Sequence, residues 1–322
     1  MNSLKYVLVF DIWYKFYAIA GLTGQFLLLY LINRKSPATM DHLKYFLYNT
    51  SFVQIALILA VFSIQHRVHA NATSVAILST APCTWIGPTA CFTMYHALCL
   101  DAACCISSTV LFRYLVVRLN EFTVRKIAII ISSAHAILFL VLLLPFFDTW
   151  NFEKLRDETY SEHPAYNLKY YEPLFGFANN QSFQFLAATA LLALVVYGIP
   201  FASGVMTRQV LVTIRYHQNM SDKTKKQAMT LIYGLICQTF LPFVAYIPIF
   251  SSYLYSQITG EEMLLSGHLI LVMASMPALV DPIISFYFIV PYRQAIIERF
   301  CTKRNILQID MFTVSSTSAV KP

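Results

Sequence analysis

Charge is what this chain has least of. Asp, Glu, Lys and Arg make up only 12% of its 322 residues, against 57% hydrophobic residues. A water-soluble domain of this length carries far more charge. The strict apolar–polar alternation of a transmembrane barrel is missing too. So is a cleavable signal peptide: the first apolar block follows Asp11 and Lys15 and runs too long, so it is expected to act as a signal anchor. No CxxC pair and no His/Cys cluster has zinc spacing, so neither a metal site nor a cofactor is expected. No lysine occurs between Leu265 and Val290, which excludes a retinal Schiff base there. No internal repeat suggests a transporter of two related halves. No His/Asp/Glu constellation converges near a membrane face, which argues against an enzyme.

What is present is apolar sequence in long blocks. Seven emerge, about 12–33, 45–65, 86–113, 127–147, 184–207, 229–253 and 265–290, each near the ~20 residues a spanning helix needs. The expected fold is an all-α seven-transmembrane-helix bundle over residues 1–290, with a cytoplasmic amphipathic helix and disordered tail over 291–322. Orientation follows from the basic residues. With the N-terminus outside, 17 of the 23 Lys and Arg residues fall on the inner side and 6 on the outer. The net charge of +7 then reads as attraction to anionic membrane lipids and an acidic cytosolic partner, with no role in nucleic-acid binding. Asn71 and Asn180 head sequons that fall outside and are glycosylation candidates. The loop from Asp148 to Gln181 is long, acidic and aromatic. Past Arg293, Ile296, Ile297 and Phe300 share one face of a short amphipathic helix. Cys301 beside it is a lipidation candidate.

Several residues are expensive where they stand. Asp101 lies 12 residues before Arg113, roughly 18 Å along a helix and deep in the hydrocarbon. It reads either as a ligand counter-ion, cation site or protonation switch, or as a carboxyl hydrogen-bonded to neighbouring helices. His96 lies above it and His135 in the fourth block. Phe112, Arg113 and Tyr114 end the third block, where Arg113 can pair with an acid, snorkel to phosphates or bind a partner's helix terminus. Pro242, after Phe240, and Pro282, after Asp281, put helix-kinking residues in the sixth and seventh blocks.

Together these features resemble the rhodopsin-like seven-helix G-protein-coupled receptors. Gly24 and Gln25 stand in the first-helix motif, with Gln25 where Asn is usual. Gln54 stands at the sodium-coordinating Asp of the second helix, which puts a sodium site of the usual kind in doubt. Arg113 and Tyr114 keep two residues of an acid-Arg-Tyr site, and Asp281 with Pro282 parallels Asn-Pro-x-x-Tyr. The finer resemblance is to nematode serpentine chemoreceptors of class delta, carried by the run Asn33 to Met40, by Leu47 to Thr50, by Ala81 to Pro88, by Phe112 to Tyr114 and by Pro291 to Arg293. The loop Asp148 to Gln181 contains no cysteine, so the disulfide that usually ties it to the third helix cannot form. Cys83 is either free or paired with Cys91.

The resemblance implies a receptor in the plasma membrane, in the cilium of a sensory neuron, that takes a small odorant or pheromone-like ligand and activates a heterotrimeric G protein, alone or as a homo- or hetero-dimer. Ligand-pocket candidates are Tyr95, His96, Phe240, Tyr246, His268 and Ser275. Candidates for activation and coupling are Asp101, Phe112, Arg113, Tyr114, Pro242, Asp281 and Pro282. The alternative is a ligand-gated ion channel or small-solute transporter lined by Asp101 and Asp281, against which two isolated acids form no ring or relay.

Overall fold

The computed structural model describes residues 3–36, 40–79, 87–118, 123–144, 151–164, 168–216, 222–259 and 264–299. Among the described residues, seven helices are long and apolar enough to cross a membrane: Leu8–Lys35, Asp41–Ile64, Thr89–Val116, Val124–Leu143, Phe183–Ile214, Met229–Ser256 and Gly267–Phe288. Apolar side chains cover both the core-facing and the lipid-facing sides. Burying a single stripe would leave the outer face wet, whereas a bilayer accepts apolar residues all round. Phe201 and Phe240 on the outside and Tyr17 and Ile58 at the centre thus belong to the same helical pattern. The first span begins four residues earlier than residue 12, and the fifth runs seven residues past 207. Charges at those ends, Asp11 with Lys15 and Arg208, mask helix that is still continuous.

Two spans are locally interrupted. The fourth breaks at His135, between helices Val124–Ala134 and Ala136–Leu143. The fifth carries a π-turn at Leu194–Gly198 between Phe183–Ala193 and Ile199–Tyr216. The seventh is unbroken although Pro277 and Pro282 lie inside it; the Ala278 carbonyl, four residues before Pro282, accepts from Gln25 of the first span. After it, residues 290–299 are helical; Tyr292 anchors them by a 2.7 Å hydrogen bond with Ser36. Ile297 is exposed there and Ile296 packs against the bundle, whereas Phe300 and Cys301 lie outside the described residues.

One end of the bundle carries a cap. Strands β1 (His66–Ala70), β2 (Val75–Ser79) and β3 (Phe175–Phe177) form an antiparallel sheet in the order β1-β2-β3. Asn71, Ala72, Thr73 and Ser74 make the turn of the first hairpin, closed by the Asn71 amide donating to the Ser74 carbonyl. All five residues of β2 are buried, since alternate side chains point to opposite faces and both faces are covered. Val75 and Ile77 face the bundle. Ala76 and Leu78 pack on Leu155, Leu168, Tyr171 and Leu174 of the connection after the fourth span. That connection includes the helix Phe152–Glu162, started by the Asn151 side chain accepting from the Lys154 amide. Its Glu158 and Glu162 accept hydrogen bonds from the amides of Thr73 and Ala72 in the hairpin turn. Arg67 donates to the Tyr171 hydroxyl at 2.6 Å and lies over its ring. The acidic, aromatic loop is therefore a folded lid with its own small core.

Candidate functional site

Beneath the sheet lies a cavity of about 110 Å³. Its floor and walls come from Phe92, Tyr95, His96 and Cys99 of the third span, Phe185, Ala188, Thr189 and Leu192 of the fifth, Tyr253 of the sixth, and Ile270 and Ala274 of the seventh. The sheet closes it with His66, Val68, Val75, Ile77 and Phe177. No charged residue lines it. A dry apolar cavity of about 150 Å³ holds a benzene-sized molecule, so this space suits a ligand of a few heavy atoms.

Two polar atoms on the cavity residues are buried without a partner, His66 Nδ1 and His96 Nε2. The His66 ring is edge-on to Phe92 at 5.3 Å and to Tyr95 at 4.7 Å, while His96 stacks on Phe92 at 6.0 Å. Aromatic neighbours fix the rings but offer the free nitrogens no hydrogen bond. An unmatched buried polar atom costs about 1–3 kcal/mol, which a ligand carrying one hydrogen-bonding group would recover. Burial pushes His66 down to about 3, with His96 adding to the shift, so the ring is neutral at physiological pH.

The pocket residues read from sequence divide in two. Tyr95 and His96 line the cavity. Tyr246 is buried in the core cluster that also holds Tyr95. Ser275 is wholly buried, its hydroxyl donating to the Val272 carbonyl and its own carbonyl accepting from Tyr17. His268 packs against Phe10 of the first span at 5.1 Å, outside the cavity wall. Phe240 must be corrected: it is 57% exposed and stacks on Phe243 on the outer surface of the sixth span. An aromatic two residues before a proline suggested an inward position, but the helix turns that side toward lipid. The strand residues of the lid were missed, although the alternation at Val68 and Val75 to Leu78 around Asn71 to Ser74 was a hairpin signal.

Asparagine 71 also corrects an expectation. It is 6% exposed, and its amide nitrogen donates to Ser74 and Thr159, each at 2.8 Å. A glycan on that nitrogen would displace both partners. Asn180 is half-buried, with its amide donating to the Ala72 carbonyl at 3.2 Å. Cys91 is disulfide-bonded, and its partner lies outside the described residues.

At the opposite end, Phe112 is buried and stacks on Phe46 at 4.6 Å, and Tyr114 packs near Val210 and Ile232. Arg113 lines a cleft with Thr109, Gln238, Ser285 and Phe288, and its Nε is buried without a partner. Thus spans three, six and seven meet around one cation. Between the ends, Gln25 donates to Gln54 at 2.6 Å and to the Ala278 carbonyl at 2.9 Å, tying the first, second and seventh spans. Asp281 accepts from Gln238 at 2.5 Å. Gly24 packs on Pro282, where an added Cβ would sit 3.5 Å from the ring. The sixth helix is continuous through Pro242. Asp101, 1% exposed, lies away from the cavity and bonds to His135 of the fourth span.

The family described as serpentine type 7TM GPCR chemoreceptor Srd matches residues 10–298. The chain belongs to this family. Among Srd relatives, serpentine receptor class delta-59 of Caenorhabditis elegans is 50% identical over 98% of each chain. Class delta-51 of the same organism is 28% identical over 89% of this chain and 86% of that one. The crystal structure of squid rhodopsin superposes with a TM-score of 0.58 at 12% identity, covering 91% of this chain and 84% of that one. That likeness establishes the rhodopsin-like seven-helix architecture. The Srd chain is accordingly a multi-pass membrane protein of a receptor family.

Proposed function

We propose that the protein is a chemosensory receptor whose ligand is a small, mostly apolar environmental molecule with one hydrogen-bonding group, and whose output is activation of a heterotrimeric G protein. The capped end with the N-terminus faces outside, and the Arg113 end faces the cytosol, a reading that the 17-to-6 distribution of basic residues supports. The observation that carries this reading is the cavity under the lid, free of charged residues and lined by His66 and His96, each of which has one buried nitrogen without a partner. Ligand there touches spans three, five, six and seven at once, and so favours one arrangement of those helices over another. The seam they share at the far end holds Arg113 among Gln238 and Ser285, where a rearrangement would open a groove for a partner helix. Plasma-membrane residence in a sensory cilium, a glycan on Asn180 and a lipid on Cys301 belong to the same proposal.

The test is calcium imaging of cells expressing the protein with a G protein, screened against a panel of small volatile and water-soluble organics. A responding compound should lose about 10-fold or more in potency when His96 becomes Leu, which keeps an apolar side chain of similar bulk and removes the nitrogen. Unchanged potency would remove the cavity from the proposal. Ligand-evoked current through purified protein in a bilayer, with no G protein present, would favour the channel alternative instead.

A further inference from the structure

The third span brings Asp101 and Cys105 to one face, four residues apart and so one turn from each other. The break in the fourth span turns His135 toward them. One carboxylate oxygen, the Cys105 Sγ and one His135 ring nitrogen lie within 4.8 Å of one another. His135 Nδ1 is 3.0 and 2.9 Å from the two Asp101 oxygens. Its other nitrogen, Nε2, is 2.9 Å from Asn49 Oδ1 of the second span, and the Asn49 amide donates to Cys105 Sγ at 3.2 Å.

This set of contacts has a consequence for the ring. The Asn49 oxygen faces Nε2, which leaves Nδ1 aimed at the two Asp101 oxygens. Sulfur, bonded by an amide donor, also presents its lone pairs. A carboxylate oxygen, a sulfur and a ring nitrogen therefore converge on one point, in a buried place where an acid without a positive partner is costly. Asn49 is in the position of a partner that orients a ligating histidine by hydrogen-bonding its far nitrogen.

We infer that Asp101, Cys105 and His135 form a binding site for a divalent transition-metal ion of the zinc class at the middle of the bundle. The donor set selects the ion. An imidazole, a thiolate and one carboxylate match zinc, whereas calcium and magnesium take oxygen ligands. The charges balance as well: a carboxylate and a thiolate, the latter releasing its proton to solvent on binding, neutralise a 2+ ion, so the filled site carries no net charge in the hydrocarbon. Zinc bonds to these three atoms would be about 2.0–2.3 Å long, with a fourth position left open. A quarter of the His135 side chain is exposed, which opens the site toward the seam beside the fourth span. Such an ion would clamp the second, third and fourth spans together, apart from both the ligand cavity and the Arg113 cleft.

Full-length protein purified in detergent, stripped with chelator and dialysed against zinc, should retain one equivalent per chain. Cobalt in its place should show a thiolate charge-transfer band. Cys105→Ser, which keeps the side-chain size, should abolish the band and weaken zinc binding at least about 10-fold, and Asp101→Asn should weaken binding similarly while the bound cobalt keeps its band. Asn49→Ala should weaken binding about 10- to 100-fold while the band persists. Zinc should also protect Cys105, and not Cys237 on the bundle surface, from alkylation read by mass spectrometry, a readout that needs no variant to fold. Failure to retain zinc overturns the inference and leaves a proton between His135 and Asp101. Equal retention in Cys105→Ser and wild type overturns it as well, since the ion would then sit elsewhere.

Discussion

The two ends of this bundle meet the same three helices with opposite chemistry. At the capped end, spans three, six and seven enclose a neutral aromatic chamber closed by a sheet whose outer face has a core of its own. At the other end they close on a single guanidinium, Arg113, whose Nε is unsatisfied. The first end encloses a small space without charge; the second leaves a buried cationic side chain with an unpartnered nitrogen. Between them, the Gln25–Gln54 and Gln238–Asp281 hydrogen bonds cross four helices. A protein that must report an event at one end to the other needs the ends coupled but chemically distinct.

The sharpest way to break the comparison is to remove the lid and leave the far end intact. Gly176 in β3 has φ +147, and a Cβ there would lie 2.0 Å from the Val75 carbonyl oxygen. Gly176→Ala should cost about 3 kcal/mol or more locally, unpairing β3 from β2. Limited proteolysis should then cut the Phe152–Glu162 region much faster, and ligand response should vanish, while constitutive signalling through the Arg113 end persists at normal surface expression. If signalling at rest disappears too, the ends are not separable.

The converse variant is Arg113→Ala. It should abolish G-protein activation, by about 10-fold at least, with ligand affinity changed far less. Loss of both together would contradict a division between sensing and coupling ends.

Acid should act on the lid before the rest. Burial holds His66 and His69 at about 3, with neighbouring His96 for the first, and His163, His268 and Arg67 for the second, adding to the shift. Both rings are neutral when folded and would take up protons when unfolded near 6.5. Between pH 6.5 and 3 the unfolded state therefore binds more protons, and stability falls as pH falls. Each ring should cost about 2 kcal/mol at pH 5, and hydrogen exchange in β1 should rise there ahead of exchange in the second and third spans. Flat exchange in β1 from pH 7 to 5 would remove these rings as the cause.

The smallest effect concerns the clamp on the hairpin turn. Glu158 accepts from the Thr73 amide and hydroxyl, at 2.7 and 3.0 Å, in a solvent-exposed place. Glu158→Gln should loosen the lid by about 1 kcal/mol, read as a modest rise in proteolysis without change at the Arg113 end.

Much of this architecture was legible in the chain itself. Seven apolar blocks and the missing charge imply a helical membrane bundle, because a bilayer leaves an unpaired backbone almost no alternative. Arg113 could be placed at a helix end from spacing alone. Asp101 could be recognised as buried and costly, but not as the partner of His135, because residues 34 positions apart on different helices meet only through the break at His135. The sheet stayed hidden for a related reason: β2 and β3 are separated by about a hundred residues, and the short Phe175–Phe177 strand has no pattern of its own. The helix-facing side of Phe240 was likewise undetermined, since lipid and core accept the same aromatic.

By itself, then, the sequence determined how many helices cross the membrane and which residues are too polar to be there without a reason. Local hydrophobicity and helical rise are properties of consecutive residues, and the chain states them directly. Only the tertiary structure decided which of those costly residues meet, that a loop becomes a lid, and where the cavity lies. Those outcomes depend on helix rotation and on pairing between distant segments, and in an apolar solvent no periodic pattern along the chain marks the inward face.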